Sequence, residues 1–232
     1  MLDITGETMP KKNTTPSPVV QIHIPKINIR HFDVLIRGKQ PLVMHRFGQV
    51  ATTAIASKQA KAAKQAKEAR DPEAEYLDAM YVMPGSKAGA KNAKYGIPGG
   101  WFKRAAVDAC SHVDGITKVF ARGAFHILTE DGKNSTGGLV PLKFSTLRMR
   151  QDYVKIGMGS SDLRYRPEFS DWSCKVRIEY NASTISPDQI VNLLNIAGFC
   201  SGLGEMRPSQ KCSDSFGTFE VITKTSSDTK AA

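Results

Sequence analysis

The chain has 232 residues, 41% apolar and 23% charged, the balance of a globular protein with a core of its own. Its 32 Lys and Arg against 22 Asp and Glu leave a net charge of +10, an excess that points to a polyanionic partner, nucleic acid first. No window has the length and apolarity of a membrane span and no strongly amphipathic basic helix is present, so a membrane partner is excluded and a soluble, cytoplasmic protein is expected.

Residues 1–18 and 224–232 read as polar, flexible tails around one domain, 19–223. Val20, Ile22 and Ile24 alternate with polar residues, and Phe32, Val34 and Ile36 repeat the pattern in a shifted phase; residues 30–37 are the first expected core strand. A first insertion, 42–95, follows. It opens on "PLVMHRF", with His45 beside Arg46, and continues in the Ala/Lys/Gln-rich stretch 51–76. That stretch is expected to be one helix without a large apolar face, one that projects or lines a surface. Lys58, Lys61, Lys64, Lys67 and Arg70 recur along it every third residue, so their charges wind slowly round the axis.

In "IPGGWFKRAAVDACSHV", Gly99 and Gly100 open a helix whose core face is Phe102, Ala106, Ala109 and Val113, with Trp101, Lys103 and Arg104 in its first turns. A glycine turn opening a helix can present free N–H groups to phosphate. "GAFHILTE" is a strand alternating through Phe125 and Ile127, and a second insertion covers 130–171. There Arg148, Arg150, Lys155, Arg164 and Arg166 interleave with Tyr153, Tyr165, Phe169 and Trp172, a pattern suited to stacking bases while cations hold the backbone. Asp152, Asp162, Glu168 and Asp171 nearly cancel that charge, and "DLRYRPEF" fits a subunit-docking hook as well. "WSCKVRIEYNA" is a strand with Cys174, Val176, Ile178 and Tyr180 on one face. "SPDQIVNLLNIAGF" is a helix with Ser186 as N-cap and Pro187 in first position, and "GTFEVITK" is the last strand. Before it lies "GLGEMRPSQKC", where Gly202, Gly204, Arg207 and Lys211 could bring bare amides and cations to a phosphate chain.

Without the insertions the order is strand, helix, strand, strand, helix, strand: an α+β, ferredoxin-like (split βαβ, RRM-like) core carrying two basic insertions. The segment Ile97–Ala106 and the glycine loop before the last strand, in this element order, resemble the RAMP superfamily of CRISPR-associated proteins, above all its backbone subunits. Trp101 departs from that pattern, where a small polar residue stands, and the second loop has fewer glycines. In overall look, through "PLVMHRF", "AKEARDPEAEY" and "DLRYRPEF", the chain is more similar to proteins encoded by bacteriophages. The resemblance implies a protein that coats a single strand as a head-to-tail oligomer, filament or ring, without strong sequence preference. The phage likeness puts DNA ahead of RNA, places the protein in the bacterial host cytoplasm, and suggests a role in replication or recombination. A guide-RNA-binding subunit, a RAMP-like ribonuclease and a phage assembly protein are the alternatives.

The four cysteines form no C-x-x-C pair, and no histidine stands at zinc-ligand spacing, so neither metal nor cofactor is expected. Paired carboxylates and nucleophile motifs are missing too, and the chain is expected not to be an enzyme; His45 is the one histidine placed to test as a general base.

Overall fold

The computed structural model describes residues 24–60, 69–129, 138–156, 159–210 and 214–222. The two expected tails lie outside them. The fold is mixed α+β with antiparallel sheets. Strand β1 (Ile29–Gly38) is central. It buries Val34 and Ile36 and exposes Ile29, His31, Asp33, Leu35 and Arg37, the period of two that a half-buried strand requires. Short β2 (Leu42–Val43) follows, then helices α1 (Gln49–Gln59) and α2 (Pro72–Asp78). The stretch 51–76 is therefore not one helix. Pro72 pushes Asp71 into extended backbone, and the Asp71 carboxylate caps α2 by accepting from the Glu73 and Ala74 amides.

Strand β3 (Gly96–Pro98) leads into α3 (Gly99–Ala109), a turn of 3-10 helix at Cys110–His112, then α4 (Lys118–Ala124) and β4 (Phe125–Leu128). Phe102, Ala106 and Ala109 are buried as their spacing predicts, while Val113 lies past the helix end. The second insertion holds β5 (Leu139–Pro141) and a long hairpin of β6 (Thr146–Ile156) and β7 (Ser160–Ser170). Strand β8 (Ser173–Asn181), helix α5 (Pro187–Cys200) and β9 (Phe219–Ile222) complete the fold. Cys174, Val176, Ile178 and Tyr180 are all buried on one face of β8. Helix α5 starts with a full capping box between Ser186 and Gln189.

The main sheet has the order β4-β8-β1-β9, every neighbour antiparallel, and its elements follow the path β1, α3, β4, β8, α5, β9. Phe102 of α3 meets Phe219 of β9 edge-on, and Gly198 of α5 approaches the Phe219 carbonyl so closely that any Cβ would overlap it. The two insertions meet where β2 pairs with β7, placing Leu42 opposite Phe169 and Val43 opposite Glu168; β3, just after the first insertion, pairs with β5 of the second. Cys110, Cys174 and Cys200 are free thiols, and burial pushes Cys174 up to about 12. No helix among the described residues is long and apolar enough to cross a membrane.

Candidate nucleic-acid interface

Two sequence motifs that stand about a hundred residues apart converge. The flank of α3 and the loop after α5 border a small recess of about 60 Å³ lined by Trp101, Arg104, Ala105, Asp108, Ser201, Gly202, Leu203, Gly204 and Arg207. The loop is held by its own backbone. Gly202, Gly204 and Gly217 take φ of +68°, +73° and +67°. Leu203 N–H donates to the Gly217 carbonyl (3.0 Å), Glu205 N–H to Val43 (2.9 Å) and Gly217 N–H to Pro41 (2.8 Å). A Cβ on Gly204 would overlap the Val43 oxygen, and one on Gly217 the Leu203 oxygen, so only glycine lets these strands of main chain touch. The amides of Leu203, Glu205 and Gly217 thus tie the loop to itself, to β2 and to Pro41 rather than facing a ligand. What the loop offers the recess is side chains.

Arg207 is braced by donating from Nε to Ser209 Oγ (2.9 Å) and from Nη1 to the Gly204 carbonyl. Across the recess, Arg104 keeps a side chain that is 75% exposed, with Asp108 at 4.0 Å. Trp101 is half-buried and meets Tyr81 edge-on at 5.4 Å. Ser201 is 2% exposed, and its Oγ has no hydrogen-bond partner among the described residues. A buried hydroxyl without a partner carries an uncompensated desolvation cost. Two guanidiniums against one carboxylate, with an indole in the same lining, suit a phosphate with a base beside it.

The glycine turn at the start of α3 plays another part. The Gly99 N–H donates to the Gly138 carbonyl (3.0 Å), and neither Gly99 nor Gly100 lines the recess. Lys103 corrects the sequence expectation further. Its ammonium points into the fold, donating to the carbonyls of Ala121 (2.6 Å) and Phe125 and lying 3.8 Å from the Phe125 ring centre. Burial lowers its pKa to about 8.

The hairpin arginines are also largely engaged. Register places Arg148 opposite Glu168 and Asp152 opposite Arg164. Glu168, 1% exposed, accepts from Arg148 Nε (2.7 Å) and Arg150 Nη1 (2.7 Å), and Asp152 accepts from Arg150 Nε (2.9 Å). Arg166, 4% exposed, reaches Asp152, Glu205 and His45. Arg150 and Arg166 are therefore structural cations here; Arg148 alone of these three stays 68% exposed. Arg70 is taken by Glu75 and Asp162, Arg164 lies 3.6 Å from Asp162, and Arg46 is taken by Asp78. Phe169 and Trp172 are fully buried core residues, and Trp172 donates to the Gln40 carbonyl (2.8 Å). On the opposite face of the hairpin Tyr153 (77% exposed) and Lys155 stand free in solvent, with Tyr165 half-buried. Lys58 lies near the end of α1, while Lys61, Lys64, Lys67 and Lys211 fall outside the described residues.

The face of the main sheet away from α3 and α5 carries His31, Asp33, Leu35, Arg37, His126, Lys175, Arg177, Glu179 and Glu220. Its charges pair: His31 with Glu179 (3.0 Å), Lys175 with Asp33 (2.8 Å), Arg37 with Glu220 (2.6 Å). No aromatic ring of Phe, Tyr or Trp stands among these residues, so the sheet offers no base-stacking platform of the RRM kind. Sequence reasoning missed Ser201 because a serine after a helix carries no signal of burial. It missed Glu168 and Asp152 as partners because cross-strand register is invisible until the hairpin closes. No protein-family model and no curated protein matches the chain.

Proposed function

We propose that this protein binds single-stranded nucleic acid, DNA ahead of RNA, without strong sequence preference, and that copies lie head to tail along the strand. The single observation that carries the reading is the recess that Arg104 of α3 and Arg207 of the loop after α5 both line, with Trp101 in the same lining. A phosphate seated there accepts from both guanidiniums, and the next base stacks on the indole. The exposed Tyr153 and Lys155 of the hairpin extend the track, and the Lys-rich stretch around Lys58 to Lys67 supplies further cations. The sheet order and the path through α3 and α5 support a ferredoxin-like core with insertions at 42–95 and 130–171. A RAMP-like, phage-encoded protein working in the host cytoplasm accords with that core and with the charge.

Fluorescence anisotropy with homopolymeric DNA and RNA strands tests this. Binding should weaken linearly in log salt, and Arg104→Ala with Arg207→Ala should reduce the slope by about 1.4. Trp101→Ala should cost about 1–3 kcal/mol of binding. Failure to bind any strand at low salt, or a double variant that binds like the parent, overturns the reading.

A further inference from the structure

The aromatic lining of the recess continues past Trp101. Tyr81 meets the indole edge-on, with ring centres 5.4 Å apart and planes at 84°. Its backbone is tied down at and beyond the ring. The Gly96 amide donates to the Tyr81 carbonyl (3.0 Å), Val82 bridges to Tyr95, and the Met83 amide donates to the Lys94 carbonyl (2.9 Å). Tyr81 is thus fastened to the segment that runs through β3 into α3, the helix that carries Trp101 and Arg104.

The hydroxyl is the unused part of this residue. Tyr81 is half-buried, and its Oη makes no hydrogen bond among the described residues. Burial raises its pKa above the ordinary 10, the charge of Arg46 opposes that rise, and Glu205 adds to it. The phenol therefore keeps its proton at neutral pH and can donate to an anion. The charges nearby leave a cationic surplus. Arg46 is held by Asp78, and Glu205 lies 3.9 Å from Arg166 and accepts from Gln210 (3.4 Å). Arg207, on the same loop as Glu205, donates only to neutral oxygens among the described residues.

We infer that Tyr81 is a second contact for the bound strand: one base stacks on Trp101, and the Tyr81 hydroxyl donates to the phosphate that follows. The inference rests on the strand binding proposed above. It gives the strand a course, from the recess past Trp101 toward the first insertion. A ring that only packed against Trp101 would need no hydroxyl.

Tyr81→Phe keeps that ring and removes only the donor. Fluorescence anisotropy with a labelled oligothymidylate should show a Kd about tenfold above the parent's. The salt slope should not change, because a neutral donor releases no counterion, and the melting temperature should match the parent's. A Tyr81→Phe chain that binds as tightly as the parent overturns the inference. So does a loss of affinity accompanied by a lower melting temperature, which assigns the hydroxyl to the fold. Arg104→Ala with Arg207→Ala is measured beside it. If that variant loses affinity while Tyr81→Phe does not, binding at the recess stands and the second contact alone falls; a parent that binds no strand overturns both.

Discussion

Arg166 donates from Nε to Nδ1 of His45 at 3.1 Å, which fixes the neutral imidazole in the tautomer with its proton on Nε2. That leaves a donor, not a base, at the free nitrogen. Burial lowers the His45 pKa from 6.5, and the charges of Arg166 and Arg164 lower it further against the weaker pull of Glu205 and Glu75.

A folded pKa below the unfolded one means that the unfolded chain binds the extra proton first. The contribution of His45 is therefore complete above about pH 6.5 and is lost as pH falls toward its folded value. Thermal melts should show His45→Ala less stable than the parent by about 1–3 kcal/mol at neutral pH. The gap should narrow as the pH drops to about 5; a gap independent of pH would mean that His45 does not titrate in this setting.

Glu168 holds Arg148 and Arg150 while almost wholly excluded from water. Glu168→Ala leaves Arg150 with Asp152 alone and should cost about 1–3 kcal/mol in urea denaturation. Replacing Arg148, whose side chain is 68% exposed, should cost about 1 kcal/mol or less.

Lys103 and Arg104 are adjacent in sequence and opposite in role. Lys103→Met should leave the salt dependence of strand binding unchanged, whereas Arg104→Ala should lower its slope by about 0.7. The folded ammonium titrates near 8 and the unfolded one near 10.5, so the parent should gain stability relative to Lys103→Met as pH rises through that window. Paired melts across the window check the sign.

Gly204 and Gly85 both have positive φ, but only Gly204 is pressed against main chain. Gly85→Ala should cost the roughly 1–2 kcal/mol of the left-handed conformation alone. Gly204→Ala must also move the Val43 carbonyl and should cost clearly more, with loss of strand binding as the loop shifts. Equal costs in chemical denaturation would show that the loop gives way freely.

Much of this fold is legible in local pattern. Cys174, Val176, Ile178 and Tyr180 alternate into the core, Ser186 caps α5, and Phe102 and Ala106 mark the inward face of α3. These elements are legible because each obeys one period and one cap signal, independent of its neighbours. The site is less so. Asp152 and Glu168 show in the sequence as charges that nearly cancel the arginines, but which of Arg148, Arg150 and Arg166 each one holds is set only when β6 and β7 close. Lys103 reads as a surface residue because nothing before α4 announces that Ala121 and Phe125 will offer it carbonyls. Arg207 and Arg104 were both legible as cations near glycines, but their meeting across one recess depends on how α3 and α5 pack.

The bends of the loop after α5 set what kind of host it is. With Gly204 and Gly217 pressed onto neighbouring main chain, its shape is decided before any guest arrives. It works as a rigid mould rather than a hand that closes. The proposed strand would meet a backbone already in place, with only exposed side chains such as Arg104 left to order.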